Sequence, residues 1–560
     1  SGEIRLKEKI SSIIVIAILL LSFYFTKVDM AWHVFQYPNW FPYRYAFLFS
    51  FFIIMLAYRG FLGIKSLKPA FFAATLAVMA LAMSALIYFV ATAGYEYLKN
   101  KSIILTIIFA AAYIIMLAAV RWKGTRTVWA VILSLLLLIM SSVEMYFNTE
   151  MLVRGLDNQF YFNDREAYVN FRDELIPLVE NVKNSDKGFY RMEKTFERSK
   201  NDSIGLGYNA ITHYSSTYND NVNTLTRKLG FLQGHFWSSY FGSTIVTDSL
   251  FAVKYVMSKT SPNGYYINID SNNDITMYQN PYALSLAYMA DKQLLSVDVA
   301  NSWDPYELQN NILKSMLKEN RDFYKKIGNV QMETSNLNIE DFGYFKKYTP
   351  IDESKAAYIS FTFNAPDDNL IYASFPTGSW DTCNLYVNGN YVGEYFTTYT
   401  KHNLLVGAFK KGEKINVKLE LKESHLDLDN YLFYSFDMTA FESAIATLRK
   451  SELDIEYFDP THIKGTVNAE NANILFTSIP FDEGWSIWVN GEKQKPLTFA
   501  NTFMCIEVPE GTNKIELKYS PKGFKTGVII SIAGIAAFSI ILSVCWIKRR
   551  RQTVCMQHPT

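Results

Sequence analysis

PNWFPYRYAFLFSFFIIMLAYR, residues 38–59, leads from two prolines and a knot of aromatics into an uncharged apolar stretch that an arginine closes. A run of this kind reads as a helix in a bilayer, where only helices and closed barrels satisfy the backbone polar groups. Arg44 and Arg59 bracket it, separated by roughly 22 Å of helix at 1.5 Å per residue. The hydrocarbon core is about 30 Å thick, so both cannot sit freely in water on a straight helix. Arg59 can snorkel, with Phe61 and Leu62 beyond it. Arg44 is then drawn to the depth of the lipid phosphates, beside Trp40, Phe41, Tyr43 and Tyr45. Two readings stay open here. One is an aromatic belt with a snorkelling arginine. The other is a fixed two-point donor for a phosphate, which arginine suits better than lysine. Asp29 and His33, in the preceding KVDMAWHVFQ (27–36), add a carboxylate and a titratable base to the same loop.

Working outward, comparable apolar stretches at 10–25, 69–90, 103–120, 128–143 and 528–547 bring the expected spans to six. Basic residues mark one side: Arg5, Lys7 and Lys9; Arg59, Lys65 and Lys68; Arg121, Lys123 and Arg126; and Lys548 to Arg551. The positive-inside rule makes that side cytoplasmic and places 26–44, 91–102 and about 148–525 outside. No charged residue or histidine lies deep in these stretches, which argues against an ion-coupled transporter or a lipid-linked-sugar flippase. The chain opens SGEIRLKEKI without methionine or a signal-peptide cleavage site, which reads as a cut within a longer protein.

The balance of 54 basic and 53 acidic residues predicts no nucleic-acid surface. Aromatics at 16% are abundant enough for β-rich domains or carbohydrate contact. The four cysteines show no metal spacing and the short outer loops no DxD cluster, so no metal is expected.

Beyond the fifth span, helical spacing at 166–182 and 304–320 alternates with short strand patterns at 188–193, 251–259 and 274–281, which predicts an α/β domain. Its loop YNAITHYSSTYND (208–220) offers His213 and Tyr214 as glycan contacts; no GxSxG turn supports a Ser/His nucleophile. The last part repeats. CNLYVNGNYVGEY (383–395) and WSIWVNGEKQKPL (485–497) share an Asn-Gly hairpin signal, and each has a second strand about 25 residues on. Two tandem β-sandwiches follow, with AFESAIATLRKSEL (440–453) as a helical linker. Trp380, Trp485 and Trp488 are either sugar-stacking platforms or rings buried between sheets. The expected fold is a multi-pass α-helical membrane domain (1–147), an extracytoplasmic α/β domain (148–328), β-sandwiches at 329–450 (with the linker) and 451–524, and a C-terminal transmembrane helix with a basic cytoplasmic tail (525–560).

WHVFQYPNWFPYRYAFLFSF (32–51), FYRME (189–193), NDSIGLGYNAITHYSSTYN (201–219), KYVMSK (254–259), YQNPYALSLAYM (278–289), LFTSIPFDEGWSIWVNG (475–491) and YSPKGFKTG (519–527) resemble, in order, the bacterial YfhO membrane-protein family. The resemblance implies a GT-C-type glycosyltransferase in the cell membrane of a Gram-positive bacterium. Such an enzyme moves a sugar from undecaprenyl phosphate to a cell-envelope polymer such as lipoteichoic acid, without a cofactor. It further implies a catalytic carboxylate in a first outer loop upstream of this chain, which leaves the general base unnamed here; among this chain's own residues Asp29 is the candidate. Arg44 and His33, with Tyr43 and Trp40, become the expected contacts of the donor's lipid phosphate. The competing expectation is a non-catalytic membrane-anchored scaffold whose sandwiches bind envelope glycan.

Overall fold

The computed structural model describes residues 4–38, 42–63, 68–92, 100–123, 127–160, 164–376, 382–396 and 402–557. Two units, Ser1–Asp164 and Arg165–Thr560, hold the chain.

The first unit is helical, and its described helices carry no proline beyond Pro69 at the first position of α4, although Gly60 and Gly155 lie inside α3 and α6. Its helices are α1 (Leu6–Tyr24), α2 (Thr26–Trp32), α3 (Ala46–Leu62), α4 (Pro69–Thr92), α5 (Asn100–Lys123) and α6 (Thr127–Phe160). Among the described residues, stretches in α4, α5, α6 and the C-terminal helix Phe524–Gln557 are long and apolar enough to cross a membrane. The pair α1 and α2 passes that test together but bends by 108° between its halves, and α3 is a shorter apolar helix of 17 residues. The first two expected spans are therefore a broken helix and a short one.

Two further expectations change. Arg59 does not simply snorkel: its Nε and Nη2 donate to Glu8 Oε1 and Oε2 at 2.8 and 3.0 Å, tying α3 to the start of α1. The fifth apolar helix also runs on past Val143, and its apolar stretch Val131–Asn158 contains Glu144. That carboxylate accepts a 2.6 Å hydrogen bond from Tyr113 on α5, so an ionisable side chain does lie within a span-length segment. Charge is therefore not missing from the apolar helices, contrary to the expectation that counted against a transporter.

In the second unit, α7 (Arg165–Ser185) buries Leu175, Leu178, Val179 and Val182, which share one face at helical spacing. They pack on Met192, Tyr255, Met257, Ile275 and Met277 of a four-stranded sheet. Its order is Arg191–Lys194, Val253–Ser258, Ile275–Gln279, Ile267–Asn272, and only the first pair is parallel.

The repeat is real and its two copies match strand for strand. One five-stranded sheet runs 331–335, 358–364, 414–421, 383–387, 390–395, and the other 454–459, 462–469, 511–519, 485–489, 492–494. Asn388, Gly389, Asn490 and Gly491 all take positive φ (48°, 81°, 53° and 85°), as a type I′ turn requires. Each sheet faces a four-stranded partner across an apolar core. Strands from the preceding α/β stretch enter both partner sheets: Tyr324–Lys326 pairs with Leu432–Phe436, and Ala287–Ala290 with Asn473–Pro480. The expected linker is a helix, Met438–Arg449, but it lies in a shared core through Phe441, Ala444, Ile445 and Leu448. Cys383 and Cys505 are buried, each in its own sandwich.

Candidate functional site

The candidate site forms where α1 breaks. Phe25 is extended, with φ −100° and ψ 113°, so the helical bonding pattern stops and the turn's polar groups need other partners. Side chains supply them. Ser22 Oγ donates to the Ile18 carbonyl at 2.7 Å and accepts Trp32 Nε1–H at 3.0 Å. Tyr45 Oη donates to the Ser22 carbonyl at 2.7 Å. Aromatic stacking closes the corner, with the Tyr45 ring 4.9 Å from Trp32 and 5.4 Å from Phe23, both nearly parallel. Tyr43 meets Phe23 edge-on at 5.8 Å.

Asp29 and His33 lie one helical turn apart on this corner, their side chains only 5% and 14% exposed. His33 Nε2 is 3.5 Å from Asp29 Oδ1. Both atoms are buried and neither makes a hydrogen bond. The two atoms face each other at ion-pair distance, so a buried carboxylate and a titratable ring share one side of the corner. The His33 ring also lies 6.3 Å from Tyr45.

The backbone on either side is strained. Val34, Phe35 and Tyr43 have φ of 56°, 60° and 63°, a left-handed conformation that costs a side-chain-bearing residue about 1–2 kcal/mol. Such residues persist where surrounding structure over-determines them, and they gather at functional sites. Arg44 is exposed in the turn between Tyr43 and Tyr45, immediately before α3. Asp29, His33, Tyr43 and Arg44 thus belong to one corner, whereas Trp40 falls outside the described residues. The stretch 26–44, expected as an outer loop, begins with the helix α2, which carries Asp29.

His213 and Tyr214 belong to the second unit. The His213 ring stacks on Tyr218 at 4.6 Å, and its Nδ1 is 3.1 Å from the Ile211 carbonyl. Tyr214 is 47% exposed, its backbone held by the Asn201 side chain. The loop owes its order to a residue that strand reading passed over. Glu193 is buried and accepts from Ile211 N, Thr212 N and Thr212 Oγ1 at 2.5, 2.8 and 2.8 Å; burial pushes its carboxyl up to about 7. Trp485 and Trp488 are half-buried: the first packs on Tyr519, and Lys493 and Lys518 lie over the second. Trp380 is outside the described residues. Among the described residues, no three His, Cys, Asp or Glu side chains gather as a metal site.

Span-length apolar helices joined to a large β-rich unit are the build of a helical membrane protein with a bulky polar portion. The chain belongs to the family described as bacterial membrane protein YfhO, which matches residues 1–531. It is 21% identical over 474 residues to the uncharacterized protein YfhO of Bacillus subtilis (strain 168), covering 81% of this chain and 54% of that one. The chain therefore spans about half the length of that curated relative. Among solved structures, a family 35 carbohydrate binding module from Clostridium thermocellum is 18% identical, covering 20% of this chain and 95% of its own, with a TM-score of 0.15. The arabinofuranosyltransferase AftD from Mycobacteria is 14% identical, covering 32% of this chain and 14% of its own, also at 0.15. Neither likeness extends to the whole fold.

Proposed function

We propose that this chain carries the donor-binding corner of a membrane glycosyltransferase that moves a sugar from an undecaprenyl-phosphate carrier to a cell-envelope polymer at the outer membrane face. The observation that supports it most is the buried Asp29–His33 pair, whose facing atoms lack hydrogen bonds. Membership of the YfhO family, with the GT-C-type activity that resemblance implies, supplies the reaction class.

The chemistry fits these residue types. When an acceptor hydroxyl attacks the anomeric carbon, the bond from that carbon to the phosphate oxygen breaks and charge collects on the leaving phosphate. A guanidinium fixed at the headgroup level stabilises that charge more than mobile water does. Arg44 takes this role, with His33 as a second donor. Asp29 holds the carboxylate that receives the acceptor's proton, and the partly dry corner keeps water from competing. Tyr43 and its aromatic neighbours form the rim for the lipid and the sugar face.

The test is the full-length protein in its bacterium with Arg44→Ala, scored by sugar content of the envelope polymer at matched protein level. The polymer is expected to lose most of that sugar, and Arg44→Lys to restore little because the two-point geometry is lost. A normal sugar content in Arg44→Ala would contradict the phosphate-binding role.

A further inference from the structure

A cavity of about 200 Å³ lies wholly in the Arg165–Thr560 unit. Tyr240, Phe241, Asp248, Asn263, Tyr372 and His402 are among its walls. One wall depends on a glycine. Gly242 has φ 86°, and a Cβ there would fall 2.2 Å from the Gly230 carbonyl oxygen and 2.7 Å from His402 Cβ. Just after it, Thr244 caps the short helix Ile245–Leu250 by accepting from Thr247 N at 3.3 Å, and that helix carries Asp248 to the cavity. Asn263 Oδ1 accepts from Tyr265 N and Tyr266 N at 3.0 and 3.2 Å, and this turn brings Tyr266 to Asp248.

Asp248 is only 3% exposed, and hydroxyls surround it. Its Oδ2 accepts from Tyr240 Oη at 2.7 Å and Tyr266 Oη at 2.5 Å, and its Oδ1 accepts from Ser243 Oγ. Three neutral donors fill most of the roughly four acceptor sites of a carboxylate, but they leave its charge uncancelled. Buried charges are ordinarily paired. Here, among the described residues, no lysine or arginine lines the cavity, and Asp248 makes no ion pair. His402 does not serve, because burial lowers its pKa to about 4 and the imidazole is neutral at pH 7. Burial raises the Asp248 carboxyl only to about 6, so the group is charged at pH 7 despite its depth. Tyr240, Phe241 and Tyr372 add aromatic wall, and the negative face of an aromatic ring attracts a cation.

From a buried carboxylate without a counter-charge beside three aromatic rings, we propose that this cavity binds an organic ammonium group, the amine of an amino sugar or of an amino alcohol. Asp248 supplies the opposite charge and takes one N–H in its remaining acceptor site. Tyr240, Phe241 and Tyr372 line the rest of the cation's surroundings. The volume is below the roughly 300–1,000 Å³ of pockets for drug-sized ligands, which limits the ligand to about one sugar ring. The same carboxylate repels an anionic ligand. The site uses no residue of the Asp29–His33 corner, so it does not rest on the glycosyltransferase reading.

The experiment is equilibrium binding to the intact chain in lipid nanodiscs, in an amine-free buffer at pH 7. The probes are glucosamine, ethanolamine and glucose. Glucosamine is expected to bind about tenfold more tightly than glucose, its neutral counterpart of the same shape. Ethanolamine weaker than glucosamine identifies an amino sugar as the source; equal affinities identify the amine alone, and both support the site. Asp248→Asn should bring glucosamine level with glucose at an unchanged melting temperature. Phe241→Leu, at a half-exposed wall position, should weaken both amines about threefold and keeps the test decisive if Asp248→Asn melts early. Glucose level with glucosamine in the parent, or no binding by any probe, would overturn the proposal. So would a preference for the amine that survives Asp248→Asn in a folded protein, or indifference of both amines to Phe241→Leu.

Discussion

His33 Nε2 and Asp29 Oδ1 sit 3.5 Å apart at a 108° bend between two helices, buried and without hydrogen bonds. The bend is held by the Tyr45 hydroxyl on the Ser22 carbonyl. Tyr45→Phe leaves that buried carbonyl short of a partner, which costs about 1–3 kcal/mol. The protein in detergent should melt at a lower temperature than the parent. A melting temperature equal to the parent's would show that the corner does not depend on this bond.

Glu8 and Arg59 form a two-point ion pair between α1 and α3, with half-exposed side chains. Its worth is modest, up to about 1 kcal/mol. Arg59→Glu should lower stability by more, since two carboxylates then face each other. Adding Glu8→Arg should recover most of the loss, as read by thermal melts of the two variants. A double variant no better than Arg59→Glu would show that the two side chains do not interact.

Glu193 gives the second unit a pH dependence of known sign. Its folded-state pKa of about 7 lies above its ordinary 4.5, so the fold binds its proton more tightly than the unfolded chain does. The contribution is complete below 4.5 and is lost as pH rises through 7, to a total on the order of 3 kcal/mol. Asp248, pushed up to about 6 by burial, acts in the same direction. Stability should fall between pH 5 and 7, and Glu193→Gln should flatten part of that fall. The same slope in the variant would contradict the assignment.

Two glycines with positive φ should respond differently to alanine. At Gly389, φ 81° with open space around a Cβ, the cost is the backbone alone, about 1–2 kcal/mol. At Gly230, φ 89°, a Cβ would fall 2.2 Å from Asn403 Oδ1, and Asn403 also bonds the carbonyls of Leu229 and Gly242. Denaturant melts should rank Gly230→Ala as the more damaging. The reverse order would mean that Asn403 moves aside freely.

What could be read from sequence was local. Asn-Gly turns need two positive φ angles, so the repeated hairpins and the sandwiches they begin were legible from residues 388–389 and 490–491 alone. The apolar face of α7 was equally plain from its spacing. Long-range pairing was not: nothing near Ala287 says that it will join a strand about 190 residues away, and nothing near Arg59 points to Glu8. The bend at Phe25 has no glycine or proline to announce it, because the signal lies in partners such as Tyr45. Hydropathy stopped the fifth span at its first charge, and so missed a helix that carries Glu144 inward against Tyr113. At the site, residue types placed Asp29, His33 and Arg44 in one loop. That Asp29 and His33 face each other in burial followed only from the broken helix.

The most direct measurement is sugar transfer by the purified full-length protein in nanodiscs, from an undecaprenyl-phosphate-linked sugar to the envelope polymer, with Asp29→Asn beside the parent. Asparagine keeps the shape and removes the charge. The account predicts a fall in turnover of about a hundredfold or more, in the range for loss of a general base, with donor binding and melting temperature largely retained. Turnover equal to the parent's at matched protein would contradict it.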